Sequence, residues 1–187
     1  MSTESANSSD LWVFGYASLI WNPGFPVAEK ALARIEGYRR HFCMRSIHHR
    51  GTVEDPGLVL ALDPEAGAFC EGVAFCVAPE DREATLAYLR ERELISSAYR
   101  EAVEPVELAD GRRLDALAYV MDQEHAQYCG ELTLDEQAAI IAAATGGMGR
   151  NRDYLFATVA QLEEIGCPDA ELADLARRVR RLCGEAA

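Results

Sequence analysis

The chain has 187 residues, enough for one domain with a substantial hydrophobic core, and 49% of them are hydrophobic and 26% charged, as in ordinary globular proteins. The formal net charge of -13 disfavours nucleic acid and acidic membrane surfaces as partners, because both repel an acidic protein. The sequence contains no run of eighteen apolar residues that would predict a membrane span.

The polar start of the chain and its cysteines set the next expectations. Residues 1–10 are polar, lack the basic and apolar regions of a secretory signal, and predict a disordered leader before a single domain over residues 11–187. The six cysteines are scattered without a C-x-x-C pair, and the histidines do not stand at zinc-ligand spacing from them. We therefore predict reduced thiols, a cytoplasmic location and no zinc site.

The first two thirds of the chain predict mostly β-structure. The predicted strands span residues 11–15, 31–45, 58–62, 69–77, 102–108 and 114–121. Gly67 predicts one hairpin turn and Asp110-Gly111 another. One helix is predicted over residues 80–94, because Pro79 and acidic residues form a typical first turn there.

The last third of the chain predicts helices. Thr133 and Glu136 form a capping box for a helix that ends at Gly146-Gly147. Asn151 is expected to cap the next helix, and Asp169 opens the last one. Strands followed by helices predict an α+β domain, in which helices cover an antiparallel or barrel-like sheet.

A carboxylate on the inner face of the predicted helix 80–94 is the first candidate for chemistry. Leu86, Leu89 and Glu93 share one helix face, whereas Glu91 points away from it. A buried Glu93 would have a raised pKa and would be a candidate general base. On the pattern alone, the simpler interpretation is that Glu93 swings outward or pairs with Arg92 or Arg100.

The apolar stretch LWVFGYASLIW, residues 11–21, is interrupted in its middle by Gly15-Tyr16-Ala17-Ser18. A glycine and small residues at a strand end allow a tight turn whose backbone N–H groups face a concavity and can bind a carboxylate or an oxyanion. Ser18 adds a hydroxyl, and Tyr16 adds an aromatic wall or a phenol. The alternative is a simple bend between two core segments.

Two polar segments contain further candidates. Arg50 lies in His48–Thr52 and could fix a substrate carboxylate, although a solvated turn is the simpler interpretation. Tyr154 follows Gly149-Arg150-Asn151 and could face a site, although a core position is the safer expectation. Phosphate-binding glycine loops, serine-hydrolase elbows and dinucleotide fingerprints are missing from the sequence, which disfavours those enzyme classes.

Together these motifs resemble the ChaC family of glutathione-specific γ-glutamylcyclotransferases. Residues 13–21, VFGYASLIW, are similar to the family's V-F-G-Y-G-S-L-I-W. The other matches are H-R-G at 49–51, Y-L-x-x-R-E at 88–93, Y-R at 99–100 and G-R-N-x-x-Y-L at 149–155. One departure is Ala17, which replaces the family's middle glycine. We expect a negative φ at Ala17, because alanine tolerates a positive φ poorly.

The resemblance implies the γ-glutamylcyclotransferase-like fold, a small mixed or antiparallel β-barrel with flanking helices and a helical C-terminal third. It also implies a reaction, in which the α-amine of a γ-glutamyl group attacks its own γ-carbonyl and releases 5-oxoproline and, from glutathione, Cys-Gly. Glu93 takes the place of the family's catalytic acid/base. The candidate substrate-binding residues are Val13, Phe14, Gly15, Tyr16, Ala17, Ser18, Leu19, Arg50, Tyr99 and Tyr154.

The resemblance further implies that neither a metal nor an organic cofactor is needed, and that the partner is a small-molecule substrate bound by a monomer or weak dimer. Two alternatives stay open at this point. The substrate could be another γ-glutamyl amino acid or amine. The chain could also be a non-enzymatic, glutathione-binding regulator of cation transport, which would have no use for an inward carboxylate at Glu93.

Overall fold

The computed structural model describes residues 10–185, so that the predicted leader lies, except for Asp10, outside the described residues. The strands are β1 (Leu11–Gly15), β2 (Glu29–Ser46), β3 (Gly57–Val77), β4 (Tyr99–Leu108), β5 (Arg113–Met121), β6 (Thr145–Gly146) and β7 (Gly149–Arg150). The helices are α1 (Arg82–Glu93), α2 (Leu134–Ala143), α3 (Asn151–Glu164) and α4 (Ala170–Leu182). Within residues 10–185, no helix combines the length and the apolar character that crossing a membrane requires.

Five strands close into a barrel in the order β1-β3-β2-β4-β5, while β6 and β7 form a separate two-stranded ribbon. β1 runs antiparallel to β3 over its whole length, and parallel to β5 where Val13 pairs with Leu117. The turn between β4 and β5 contains Gly111 at φ 88°, as the Asp110-Gly111 signal predicts. The predicted barrel and the helical C-terminal third are both confirmed.

The chain forms two compact units. The first consists of residues 10–39 and Pro64–Val120, and the second of Arg40–Asp63 and residues 121–185, so β2 and β3 each run from one unit into the other. The first unit contains β1, α1 and β4, and it has a buried core formed by Leu11, Val13, Leu19, Val77, Leu89, Leu117 and Tyr119. The second unit contains α2, α3 and α4, and α4 buries Leu172, Leu175, Ala176 and Val179.

The hairpin predicted at Gly67 is wrong. Residues 57–77 form one continuous strand, and Gly67 lies within it at φ 83°. A glycine at positive φ inside a strand is typical of a bulge or bend, and β2 has the same feature at Gly37. Asp63-Pro64 and Gly67 are the residues that turns favour, so the local signal could not distinguish a bent strand from a hairpin.

The ends of the C-terminal helices are partly as predicted. Thr133 and Glu136 form the capping box of α2, and the Asp169 carboxylate accepts the Leu172 N–H at the start of α4. However, α2 ends at Ala143 rather than at Gly146-Gly147.

Asn151 is not a helix cap. It is the first residue of α3 and is fully buried. Its side-chain oxygen accepts the N–H of Leu58 at 2.7 Å, and its side-chain nitrogen donates to the Leu58 carbonyl at 2.7 Å. Asn151 therefore satisfies the backbone of β3 and anchors the start of α3 to that strand.

Candidate active site

Glu93 is the last residue of α1, and its side chain is turned toward the protein, with 16% of it exposed. Leu89 on the same face is fully buried, and Leu86 packs against the core of the first unit, whereas Glu91 is exposed. Burial raises the pKa of the Glu93 carboxyl, and the positive charge of Arg92 acts in the opposite direction. The inward orientation predicted from the helix pattern is therefore present, together with the pairing to Arg92 that was its alternative.

The segment after β1 is closely packed at its glycine. Gly15 pairs with Val73 at the end of β1, and a Cβ on Gly15 would lie 2.9 Å from the ring of Phe75 and 3.2 Å from the Cβ of Leu19. On the neighbouring strand, a Cβ on Gly72 would overlap the carbonyl oxygen of Gly15. Glycine at position 15 thus leaves room for the Phe75 ring and the Leu19 side chain, and glycine at position 72 leaves room for the Gly15 carbonyl.

Three consecutive backbone N–H groups beyond Gly15 lack an acceptor within residues 10–185, namely those of Ala17, Ser18 and Leu19. The next N–H groups are paired, since Ile20 donates to the Ala17 carbonyl and Asn22 to the Ser18 carbonyl, both at 2.9 Å. Ala17 and Leu19 are buried, where an unpaired N–H group is rare and costly. This segment can therefore donate several hydrogen bonds to a bound anion or carbonyl oxygen.

Ala17 has φ -143°, so its backbone keeps the negative φ expected from the replacement of glycine by alanine. The other two side chains of the interrupting segment differ in environment. Tyr16 is buried, and the Ser18 hydroxyl is half-buried and accepts a hydrogen bond from Arg92.

Arg92 connects this segment with α1. Its Nη2 donates to the Ser18 hydroxyl at 3.0 Å, and its Nη1 donates to the carbonyl oxygen of Asn22 at 2.7 Å. Its Nε lies 3.2 Å from Oε1 of Glu93. One guanidinium therefore contacts both the segment with unpaired N–H groups and the candidate acid/base.

Tyr119 is a buried residue near Glu93 that the sequence analysis missed. Its hydroxyl donates to Glu101 at 3.0 Å, and Glu101 accepts two hydrogen bonds from Arg90. Burial raises the pKa of the Tyr119 phenol, and the negative charges of Glu101 and Glu93 raise it further. Tyr119 therefore stays a protonated donor. The spacing of Leu117 and Tyr119 on one face of β5 was the signal available for finding it.

The structure places the other predicted site residues in two groups. Val13 and Phe14 are fully buried in β1, and Tyr99 at the start of β4 packs against the same core as Glu93's helix, all within the first unit. Arg50 and Tyr154 belong to the second unit.

Arg50 lies in the turn between β2 and β3, and it is not simply solvated there. Its Nη1 donates to the Met148 carbonyl at 2.7 Å and more weakly to the Arg150 carbonyl at 3.4 Å. Its guanidinium lies 5.3 Å from the ring centre of Tyr154, which in turn packs edge-on against Phe42. Arg50 therefore holds the β6–β7 ribbon by donating hydrogen bonds to the carbonyl oxygens of Met148 and Arg150.

His41, Cys43 and Asp63 form a buried cluster in the second unit, with potential ligand atoms within 4.8 Å of one another. The search for zinc-ligand spacing in the sequence missed this cluster, because His41 and Cys43 are only two residues apart on β2 while Asp63 comes from β3. Asp63 accepts hydrogen bonds from Gln123 and Tyr128 and lies 3.0 Å from His41 Nε2. These hydrogen bonds outweigh burial and lower the pKa of Asp63, so a hydrogen-bond network accounts for the buried charge.

The six cysteines all carry thiols, as predicted, and five of them are buried. Burial raises the pKa of Cys129 to about 11 and also raises that of Cys76. The thiolate forms of these two cysteines are therefore disfavoured near neutral pH.

The chain is similar to known proteins over most of its length. Residues 11–182 match the family model described as ChaC-like protein. The glutathione-specific γ-glutamylcyclotransferase of Escherichia coli (strain K12) is 37% identical over 175 residues, which cover 94% of this chain and 75% of that protein. The protein with the same description in Schizosaccharomyces pombe is 34% identical over 200 residues, which cover 97% of each.

Solved structures show the same fold. A crystal structure of a γ-glutamyl cyclotransferase specific to glutathione from yeast matches with a TM-score of 0.82 and 25% identity, over 92% of this chain and 96% of that chain. A second structure, of a γ-glutamyl cyclotransferase, matches with a TM-score of 0.55 and 16% identity over 89% of this chain and 86% of that chain, and it shares the fold alone.

Proposed function

Since the chain belongs to the ChaC-like protein family, we propose that it is a γ-glutamylcyclotransferase, a lyase that cyclises the γ-glutamyl group of glutathione and releases 5-oxoproline and Cys-Gly. The names of its E. coli and S. pombe relatives support this activity and this substrate. The observation that carries the proposal is one arrangement, in which Arg92 contacts both the mostly buried carboxylate of Glu93 and the segment with three unpaired N–H groups.

The unpaired N–H groups of Ala17, Ser18 and Leu19 bind the γ-glutamyl group. Glutathione is anionic and the protein is strongly acidic, so local backbone donors must supply the attraction that the overall charge does not. Donors held by a buried strand end cost little reorganisation, and they stabilise negative charge that develops on the γ-carbonyl oxygen.

The reaction needs folding of the substrate and one shuttled proton. The α-amine forms a bond to the γ-carbonyl carbon, and the bond from that carbon to the cysteinyl nitrogen breaks, so no water enters. The nucleophile is already tethered to the electrophile, so that holding the γ-glutamyl chain in a folded shape supplies much of the acceleration. Glu93 accepts the proton that the α-ammonium loses before the attack and delivers it to the departing cysteinyl nitrogen. The attacking nitrogen loses its second proton to solvent as the lactam forms, and the released amine of Cys-Gly takes up one proton from solvent.

The environment of Glu93 suits both halves of this role. Burial raises its pKa, which brings the carboxyl closer to the range in which it can both accept and release a proton. The neighbouring Arg92 opposes that rise and favours the ionised form that must take the first proton. A metal or a redox cofactor has no step to perform in this scheme.

The remaining candidates have supporting roles in the proposal. Val13 and Phe14 form the buried base of the segment, Gly15 lets the chain turn closely beside Phe75 and Leu19, and Tyr16 and Tyr99 form walls of the site. In the second unit, Arg50 holds the β6–β7 ribbon through the contacts described above, and its guanidinium lies against the ring of Tyr154. We further propose a cytoplasmic protein that acts as a monomer or weak dimer and binds neither nucleic acid nor membrane.

The proposed activity is tested by incubating the purified chain with glutathione, γ-glutamyl-alanine and oxidised glutathione, and by quantifying 5-oxoproline and the released partner by mass spectrometry. We expect stoichiometric 5-oxoproline and Cys-Gly from glutathione and little product from the other two. Product mainly from γ-glutamyl-alanine would indicate that the substrate is another γ-glutamyl compound and not glutathione. Binding of glutathione without any product would instead favour a non-enzymatic regulator.

A further inference from the structure

Arg92 makes five polar contacts in the first unit, more than its position next to the candidate acid/base would require. Besides Ser18, Asn22 and Glu93, its Nη1 lies 3.4 Å from the Pro23 carbonyl oxygen and 3.0 Å from the Tyr88 hydroxyl. Only 21% of its side chain is exposed. A planar guanidinium with donors fixed in a fork suits such a set of divergent acceptors, whereas a lysine ammonium does not.

These contacts join parts of the chain that are far apart in sequence. Asn22 and Pro23 lie toward the end of residues 17–23, the binding segment, which begins with the unpaired N–H groups. Their carbonyl oxygens and the Tyr88 hydroxyl of α1 all contact Nη1 of Arg92. The Tyr88 phenol also packs so closely on Gly24 that a side chain there would overlap it. The end of the binding segment is thus held against α1 by Arg92 and Tyr88 together.

We infer that Arg92 is the positioning residue of this site, whose guanidinium fixes the segment from Ser18 to Pro23 against α1 with Nη1 and Nη2 and orients the Glu93 carboxylate with Nε. This inference rests on the proposed function. It assigns Arg92 two separable actions: one holds the amide donors where the γ-glutamyl group binds, and the other keeps the acid/base ionised and directed. Both actions work through other residues and need no contact with substrate.

The charged and titratable groups around Glu93 determine how strongly Arg92 must favour the ionised form of its carboxyl. On α1, Arg92 is the group whose charge favours ionised Glu93. From β5 the Tyr119 phenol faces it, and Tyr119 stays protonated because it donates to Glu101, which is itself paired with Arg90. Removal of the Arg92 charge therefore leaves burial unopposed and raises the pKa of Glu93 further.

The test compares Arg92→Gln, Arg92→Lys, Ser18→Ala and the double variant Arg92→Gln/Ser18→Ala with wild type. Arg82→Gln is the matched control, because Arg82 is an exposed arginine at the other end of α1. For each variant, kcat and KM for glutathione are measured across pH. The pKa of Glu93 is measured separately by carbon-13 NMR titration of glutamate-labelled protein, with Glu93→Gln assigning the signal.

For Arg92→Gln we expect kcat/KM to fall by about 10²-fold, the scale of a misplacement of about 1 Å. The acid limb of the pH profile and the NMR pKa of Glu93 should both move to higher pH. Arg92→Lys keeps the charge without the fork, so the pKa of Glu93 should stay near wild type while KM rises. In the double variant Ser18→Ala should add little to the loss, because the two side chains act as one unit.

The inference is overturned if Arg92→Gln keeps the wild-type acid limb and KM, or if the Ser18→Ala and Arg92→Gln losses are additive. If Arg92→Gln does not fold, Arg92→Lys decides the question. A raised KM with a Glu93 pKa near wild type supports the inference, and an unchanged KM overturns it. If the wild-type chain forms no 5-oxoproline from any substrate, the proposed function fails, and the NMR titration still decides whether Arg92 controls Glu93.

Discussion

The carboxylate of Glu93 and the guanidinium of Arg92 lie 3.2 Å apart at the end of α1, with 16% and 21% of the two side chains exposed. Adjacent residues inside a helix point in different directions, and the two side chains meet here because the helix ends at Glu93. Burial and the positive charge act on Glu93 in opposite directions, and burial has the larger effect. A carboxylate in this position is costly to the fold, which gives the first prediction.

Glu93→Gln should stabilise the protein at neutral pH. Because the folded-state pKa of Glu93 is raised, its contribution to stability is present in full below its unfolded pKa and is lost as pH rises through the folded pKa. Melting of the variant and wild type is measured from pH 4 to 8. The melting temperature of the variant should be higher than that of wild type near pH 7.5, by about 2–4 °C for each kcal/mol of stabilisation. The difference should shrink toward pH 4.

The control for this measurement is Glu91→Gln, which changes an exposed neighbour on the same helix. It should leave the melting temperature nearly unchanged. A Glu93→Gln variant that melts below wild type at pH 7.5 would show that the pairing with Arg92 outweighs the cost of burial.

Gly72→Ala should destabilise the protein more than Gly15→Ala. The added methyl of Gly72→Ala meets the Gly15 carbonyl oxygen, a backbone atom that cannot move without disrupting the pairing of β1 and β3, whereas that of Gly15→Ala meets the Phe75 ring, which can shift. Overpacking of this kind costs about 1–3 kcal/mol. Urea denaturation measures both, and equal or reversed effects would contradict the packing described for this strand end.

The sequence predicted the barrel and α1, because alternation and capping residues are local signals. Helix periodicity placed Glu93 on the same face as Leu86 and Leu89, but the pattern alone favoured the simpler outward or paired interpretation. The motifs around Gly15 and Glu93 supplied the candidate site residues, and their roles stay predictions. The hydrogen bond of Tyr119 to Glu101 and the contacts of the Arg92 guanidinium could not be predicted, since both depend on which strands and loops meet in the folded chain. The single strand over residues 57–77 was missed because its bend uses the residues of a turn.

Asn151→Ala should be strongly destabilising even though Asn151 caps no helix. The substitution leaves the N–H and the carbonyl of Leu58 without partners in a buried place, at about 1–3 kcal/mol for each group. Chemical denaturation compares it with Glu163→Ala, an exposed position on the same helix that should change stability by less than about 0.5 kcal/mol. A loss below about 1 kcal/mol for Asn151→Ala would show that these two bonds are not needed.

Asp63→Asn should make the free energy of unfolding depend less on pH in the acidic range. Hydrogen bonds lower the folded-state pKa of Asp63, so its stabilising contribution is present above the unfolded pKa and is lost as pH falls through the folded pKa. The variant weakens the bonds from His41, Gln123 and Tyr128, each worth about 1.5–3 kcal/mol to a charged acceptor. Melting curves at pH 7 and pH 3 should show a large loss at pH 7 and a small one at pH 3, and equal losses would contradict an ionised Asp63.

The most direct measurement is the release of 5-oxoproline from glutathione by wild type and by Glu93→Gln, with circular dichroism to verify that both are folded. Glutamine keeps the size of the side chain but cannot accept or deliver the proton. We expect rapid release by wild type and a loss of about 10²-fold or more in the folded variant, the scale of general acid–base catalysis. A folded Glu93→Gln variant with near wild-type turnover would contradict it.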